Sequence, residues 1–150
     1  MTRIFVDADG CPVKSEVLRV AGRYGVQVSV VANTRLSLPP DANVERVVVG
    51  SGFDAADDWI AARVAEEDIV VSGDIPLASR CLEQGAHVID FKGRELTPEN
   101  IGDAMGSREL MAYLRESGVT TGGPAPFEKK DRSRFLHRLD EVIQTLRRRR

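Results

Sequence analysis

The sequence has only two cysteines, Cys11 and Cys81, and neither belongs to a Cys-X-X-Cys pair. So few thiols cannot form a disulfide scaffold, which predicts a reducing compartment and argues against a zinc site. No apolar run approaches the roughly 20 residues that a membrane helix requires, so we expect no membrane span. The first residues enter a strand-like run without the pattern of a signal peptide. These features predict a cytoplasmic protein.

The sequence also lacks a recognisable nucleotide-binding loop. The glycine turn at residues 50–52 has neither the third glycine of a dinucleotide loop nor the Gly-Lys-Ser/Thr ending of a P-loop. Cys11 precedes a predicted helix, but no histidine lies near it in sequence to act as its base. We interpret it as a small buried thiol, and the isolated His87 and His137 as packing or surface residues. The sequence therefore predicts no nucleotide cofactor.

A chain of 150 residues with a net charge of −2 is one ordinary domain, long enough to bury a core. Its charges are unevenly placed, because the acids gather before residue 104 and the last 22 residues are strongly basic. We predict an α/β core over residues 1–116, a Gly/Pro loop over 117–131, and a C-terminal helix with a basic tail over 132–150.

Short apolar runs rich in Ile and Val alternate with amphipathic segments along the chain. Strands are predicted over residues 3–6, 26–31, 44–49, 69–72 and 86–90. Helices are predicted over residues 12–24, 54–66, 76–83, 97–116 and 131–146. This alternation predicts a three-layer α/β domain, in which a central parallel sheet of about five strands has helices on both faces.

Aspartates follow the predicted strands. Asp7 and Asp9 come at the end of the first strand, and Asp74 follows the fourth. In an open α/β sheet, ligands bind at the carboxyl ends of the strands. Grouped carboxylates repel one another unless a cation neutralises them, and their oxygens suit hard divalent metals. We therefore predict that Asp7 and Asp74 are metal ligands and that Asp9 is a catalytic residue that binds metal or orients water. The alternative is that these aspartates form turns or cap the following helices.

Three more aspartates lie at the start of the second predicted helix. Asp54, Asp57 and Asp58 are spaced so that they share one side of its first turns, where acids also gain from the helix dipole. We predict that Asp54 caps the helix and that Asp57, rather than Asp58, is a catalytic metal ligand. Asp90 follows another strand, and we predict that it supports the ligands.

Two groups of basic residues are candidates for binding substrate phosphates. The first group flanks the inferred crevice and comprises Lys14, Lys92 and Arg94. The second group follows Phe127, which we predict to stack on a base, and comprises Lys129, Lys130, Arg132 and Arg134. A solvated surface is an equally open interpretation of both groups.

Several segments in this order are together specific for one family. They are VDADGCPVK at residues 6–14, SGFDAAD at 51–57, SGDIPLA at 72–78 and TGGP at 121–124, followed by Asp131, Arg132 and Phe135. In these segments the chain resembles the YaiI/YqxD family of uncharacterised bacterial proteins, which belongs among the PIN-like nuclease folds. The resemblance covers nearly the whole chain.

The resemblance implies a PIN-like domain that uses three or four acids to hold Mg²⁺ or Mn²⁺ for phosphodiester hydrolysis, usually of RNA. Matched residue by residue, the family's acids correspond to Asp7 after the first strand, Asp57 on the central helix, Asp74 after the fourth strand, and Asp90 as a fourth acid. The second aspartate of the first motif and the Gly-Gly-Pro loop at residues 122–124 are not part of the general PIN pattern. The implied partner is RNA or another nucleic acid.

Two other functions remain open. IFVDADG at residues 4–10 is similar to the nucleophile motif of haloacid-dehalogenase-like phosphatases, in which Asp7 would attack phosphorus and Asp9 would act as acid and base. That match stops at Cys11, where Thr or Val is usual, and no second acid closely follows Asp74. The third hypothesis is a nucleic-acid-binding protein without turnover, in which binding survives neutralisation of the acids.

Overall fold

The computed structural model describes residues 2–50, 52, 54–103 and 126–149. Its strands are β1 (Arg3–Asp7), β2 (Gln27–Ala32), β3 (Val44–Val48), β4 (Ile69–Val71), β5 (His87–Ile89) and β6 (Glu95–Leu96). The helices with complete bounds are α1 (Lys14–Tyr24), α2 (Ala55–Arg63), α3 (Ile75–Glu83) and α4 (Lys129–Arg148), which is the last helix of the chain. None of the helices in the described ranges is long and apolar enough to cross a membrane.

The strands form one sheet in the order β3-β2-β1-β4-β5-β6. The first five strands in this order are parallel, and β6 pairs antiparallel with β5 at the edge. The chain moves outward from β1 through β2 to β3, and then returns to place β4 on the other side of β1. The sheet therefore has a topological switch point between β1 and β4, where ligands bind in folds of this kind.

The side chains of the sheet alternate between two apolar layers. Ile4 and Val6 of β1 point to the side covered by α1 and α4, whereas Phe5 points to the side covered by α2 and α3. Every residue of β4 is buried, as expected of a central parallel strand that is covered on both faces. The predicted α/β class with helices on both faces is confirmed. The sheet has one strand more than expected, because β6 is too short for a periodic signal.

The last helix closes the first layer. α4 begins at Lys129, two residues before the predicted start, and the backbone N–H of Glu128 donates to the Asp131 carboxylate at 2.9 Å. The apolar face of α4 is buried, and it consists of Phe135, Leu139, Val142, Ile143 and Leu146. The turn before β6 packs against this helix, and a Cβ at Gly93 would lie only 2.7 Å from the carbonyl carbon of Arg134.

Other predicted bounds differ at the ends of elements. α2 ends at Arg63 rather than at residue 66, because Val64 is already extended with a ψ of 142°. The predicted helix at 97–116 begins later than expected: the Thr97 hydroxyl accepts the Asn100 N–H at 3.2 Å within a turn, and the helical residues start at 101. Residues 104–125, with the rest of this helix and most of the predicted Gly/Pro loop, lie outside the described residues. The division at residues 116 and 131 stays a prediction.

Candidate functional site

The switch point brings Asp7 and Asp74 together. Asp7 is the last residue of β1, and Asp74 follows the neighbouring strand β4. The buried Ser72 joins them, because its hydroxyl donates to Asp7 Oδ2 at 2.8 Å and accepts the backbone N–H of Asp74 at 3.0 Å. Two strand ends are thereby held in one arrangement by a single side chain.

Asp74 also begins the next helix. Its Oδ1 accepts the backbone N–H of Leu77 at 3.0 Å, so the helix-capping interpretation is confirmed. Asp9 is fixed in a similar way, since its Oδ2 accepts the backbone N–H of Asn33, just beyond β2, at 2.8 Å. Each of these two carboxylates thus uses one oxygen to hold the backbone.

α2 presents a further acid to the same place. Asp57 lies close enough to Asp74 for a hydrogen bond between the two carboxyl groups. Asp58 points elsewhere and pairs with Arg80 at 2.8 Å on the surface. Asp54 occupies the N-cap position of α2, but its side chain makes no capping hydrogen bond and its φ is +64°. The prediction that the Asp54 carboxylate caps the helix is therefore wrong, because a left-handed backbone turns it away from the first-turn N–H groups.

These side chains line one open cleft of about 440 Å³, which we call the acid cleft. Its aspartates are Asp7, Asp9, Asp54, Asp57 and Asp74, and Asn33 and Gly52 lie between them. The five acids come from the ends of two neighbouring strands and from the start of one helix. The convergence that the strand-end pattern predicted is present in the fold.

The electrostatics of the acid cleft disfavour negative charge. Burial and, after it, the nearby carboxylates of Asp74, Asp7 and Asp54 together raise the pKa of Asp57 to about 7. Burial also raises the pKa of Asp7, although the hydrogen bond from Ser72 opposes this change. The carboxylates of Asp74 and Asp9 add repulsion at Asp7. A cation placed among these groups would relieve both the burial penalty and the repulsion.

The carboxylate oxygens of the acid cleft are the kind of ligand that a hard divalent ion prefers, but they do not form a closed coordination cage. Within the described part of the chain, no group of three or more His, Cys, Asp or Glu side chains is arranged to hold a metal ion. The hydrogen bonds to Ser72, Leu77 and Asn33 orient the carboxylates individually. Mg²⁺ is usually bound by one or two carboxylates and several waters, so a partial, all-oxygen set is compatible with it.

Asp90 belongs to a different feature. Its Oδ1 accepts the backbone N–H groups of Lys92 and Arg94 at 3.0 and 2.9 Å, which closes a turn before β6. It lines a neighbouring pocket rather than the acid cleft. The structure therefore assigns Asp90 a turn-forming contact, and Asp90 shares the neighbouring pocket with Asp7, Asp9 and Asp74 without lining the acid cleft.

The predicted substrate-binding residues are dispersed. Lys14 donates to the carbonyl oxygens of Ala8 and Cys11 at 3.4 and 2.8 Å, which secures the loop after β1. Lys130 pairs with Glu128 at 3.2 Å, Lys129 is exposed, and Lys92 lines the pocket beside the acid cleft.

Arg132 connects α4 to the start of α1. Its guanidinium donates to the Pro12 carbonyl at 2.9 Å and pairs with the buried Glu16. A binding role for these basic side chains stays a prediction.

The cysteines and histidines lie apart from the acid cleft. Cys11 and Cys81 are buried free thiols, and burial raises their pKa values to about 11 and about 12. His87 lies 3.4 Å from Glu95, and His137 is an exposed partner of Glu141 on α4. Their surroundings agree with the packing and surface interpretations.

Sequence reasoning missed three contributors to the site. Ser72 is the one polar residue at the end of an apolar run, and that position was a usable signal. Asn33 contributes through its backbone N–H, which no side-chain pattern reveals. Asp54 was assigned to capping because its spacing suits a helix start, and only its backbone conformation shows otherwise.

The chain is similar to bacterial proteins of one family. The sequence profile of a family described as "Uncharacterized BCR, YaiI/YqxD family" matches residues 5–145. A UPF0178 protein of Rhodospirillum centenum is 56% identical over 152 residues, which cover 99% of this chain and 99% of the relative. UPF0178 proteins of Rhodopseudomonas palustris strain HaA2 and Parvibaculum lavamentivorans are 53% and 50% identical, each over 99% of this chain and over 91% and 98% of their own lengths. No solved structure matches the chain.

Proposed function

This chain belongs to the YaiI/YqxD family, and we propose that it is a divalent-metal-dependent nuclease that hydrolyses phosphodiester bonds in RNA. One observation carries the proposal: five aspartates from two strand ends and a helix start line one cleft at the topological switch point of the sheet. Half-buried carboxylates that repel one another, such as those of Asp7, Asp57 and Asp74, are costly to the fold, and a function that recruits a cation accounts for that cost.

The residues have distinct parts in this proposal. Asp7 and Asp74 would be direct ligands of Mg²⁺ or Mn²⁺, and Asp57 a ligand or a bridge between two ions. Asp9 would bind metal or orient the attacking water. When bound, such an ion lowers the pKa of water and stabilises the entering and leaving oxygens of a phosphodiester.

The hydrogen bonds around the acid cleft preorganise these groups. Ser72 fixes the Asp7 carboxylate relative to the backbone of Asp74, so the two candidate ligands cannot separate without breaking a buried contact. The Asn33 N–H fixes Asp9 in the same way. These contacts orient the Asp7 and Asp9 carboxylates in the acid cleft before an ion or a water binds.

The test combines Mn²⁺ binding by calorimetry with cleavage of a single-stranded RNA, on wild type, Asp7→Asn and Asp58→Asn. The Asp58 variant is the matched control, because that exposed side chain pairs with Arg80 outside the acid cleft. We expect metal-dependent cleavage by wild type and the control, and loss of both binding and cleavage in Asp7→Asn.

Two outcomes would overturn the proposal. Hydrolysis of small phosphomonoesters without RNA cleavage would support the phosphatase hypothesis, in which Asp7 is a nucleophile. RNA binding that persists in Asp7→Asn, with no cleavage by any variant, would support a binding protein without turnover.

A further inference from the structure

A second pocket of about 700 Å³ adjoins the acid cleft. The two cavities share the side chains of Asp7, Asp9 and Asp74. Away from these three acids the lining of the pocket also contains a fourth, Asp90, and the rings of Phe91 and Phe127. We call it the aromatic pocket. A ligand that spans both cavities would meet carboxylates at one end and aromatic rings at the other.

Phe127 is held in a fixed position at the start of α4. The Arg132 guanidinium lies 5.1 Å from the centre of the Phe127 ring. Arg132 is itself held by the Pro12 carbonyl and by Glu16, which is only 3% exposed. The N–H of the next residue, Glu128, is bonded to Asp131. The ring is therefore part of the folded frame, and binding would not have to order it.

Phe91 is fixed by a different contact. Its ring packs against Gly73, and a Cβ at that glycine would lie 3.4 Å from the Phe91 Cε2 atom. Gly73 immediately precedes Asp74, so the ring lies directly beside a candidate metal ligand. The turn that carries Phe91 is closed by the Asp90 carboxylate, which accepts the N–H of Lys92 at 3.0 Å. Both rings are only partly buried against the core.

We propose that the aromatic pocket binds an unstacked nucleobase of a single-stranded nucleic acid whose backbone crosses the acid cleft. Aromatic rings stack on the faces of unpaired bases, and these faces are covered by neighbouring base pairs in a duplex. Lys92 also lines the pocket and supplies a cation toward which a phosphate can be drawn. The inference rests on the proposed nuclease function for the position of the phosphodiester. It adds the class of substrate, a single strand, and the residues that select it.

The test measures binding by fluorescence anisotropy in Ca²⁺, with a labelled single-stranded RNA and the same strand annealed to its complement. Gel analysis shows that the probe stays intact. The variants are Phe91→Leu and Phe127→Leu, which keep an apolar side chain and remove the ring. The control is Tyr24→Leu, because Arg147 lies 5.1 Å from that ring at the far end of α1, away from both cavities. Circular dichroism establishes that each variant is folded.

We expect wild type to bind the single strand more tightly than the duplex. Each phenylalanine variant should bind the single strand about tenfold more weakly, which is about 1.4 kcal/mol. The affinity of Tyr24→Leu for the single strand should stay within about twofold of that of wild type, because Tyr24 lies outside the aromatic pocket.

The inference is overturned if wild type binds the duplex as well as the single strand, if it binds neither, or if both phenylalanine variants bind like wild type. These results are separable from the fate of the nuclease proposal. Binding that depends on both rings, without any cleavage in Mn²⁺, would refute only the nuclease. Cleavage with ring-independent binding would refute only the aromatic pocket.

Discussion

Replacing Asp57 by asparagine should stabilise the metal-free protein at neutral pH. Burial and the neighbouring carboxylates raise the pKa of Asp57 from 3.8 to about 7 in the folded state. Between these two pH values the folded protein holds a proton that the unfolded chain has released. Its free energy of unfolding therefore falls as the pH rises through this window. Asparagine does not ionise, so the variant avoids this loss, and its amide can still donate a hydrogen bond to Asp74.

The size of the effect follows from the pKa change. A rise from 3.8 to about 7 corresponds to at most about 4 kcal/mol. Asp57 is partly exposed at the rim of an open cleft, so solvent screens much of this energy. We expect the variant to be more stable than wild type by about 1–2 kcal/mol above pH 7, and by nothing measurable near pH 4.

Urea unfolding followed by circular dichroism, at several pH values and with EDTA present, measures this difference. Asp58→Asn is the control, because its exposed pair with Arg80 should contribute less than about 1 kcal/mol. The reasoning is refuted if Asp57→Asn is less stable than wild type at neutral pH. It is also refuted if the free energies of unfolding of the two proteins differ by the same amount at pH 4 and at pH 8.

Three other variants and one reagent test the fold itself. Gly93→Ala should destabilise the protein by about 2–4 kcal/mol in urea unfolding, because the φ of Gly93 is +88° and the new Cβ would meet the α4 backbone. Gly22→Ala, at a helix position with open space around it, should stabilise the protein by about 0.5–1 kcal/mol. Asp68→Ala should lower the free energy of unfolding by about 2–4 kcal/mol, because its buried carboxylate pairs with Arg3 at 2.8 Å and its loss leaves donors unsatisfied. Cys81 should react with Ellman's reagent only after denaturation, since it is fully buried and its pKa is raised to about 12; rapid labelling of the native protein would contradict this.

The sequence predicts the layers of this fold well, because burial on both faces of a parallel sheet requires continuous apolar runs, which are easy to recognise. Continuous apolar runs such as the one ending at Val71 can be satisfied only inside the sheet. The two-residue strand β6 is too short to give such a run. Its pairing depends on the turn at Gly93, which fits only because it lies against a helix that is distant in sequence.

The candidate site was predictable where it depends on strand ends, and hidden where it depends on backbone geometry. Asp7 and Asp74 follow apolar strands, so their place at the rim could be inferred without knowing the strand order. The conformation of Asp54 could not, because a left-handed φ at a residue other than glycine is uncommon and has no signature in composition. The turn made by Asp90 is equally local, and its carboxylate satisfies two N–H groups that sequence spacing alone does not identify.

The strand order decides which of the strand-end groups act together. β1 lies between β2 and β4, so the aspartates after it meet Asn33 on one side and Asp74 on the other. Had β4 joined the outer edge beside β3, Asp74 would lie two strands farther from Asp7, beyond the reach of a shared ion at a spacing of about 4.8 Å per strand. The repulsion that adds to burial in raising the pKa of Asp57 is therefore a consequence of the topology. This repulsion persists because Ser72, the Asp74 cap of α3 and the packed layers hold the carboxylates in place. Removing one charge should therefore stabilise the fold while abolishing the proposed activity.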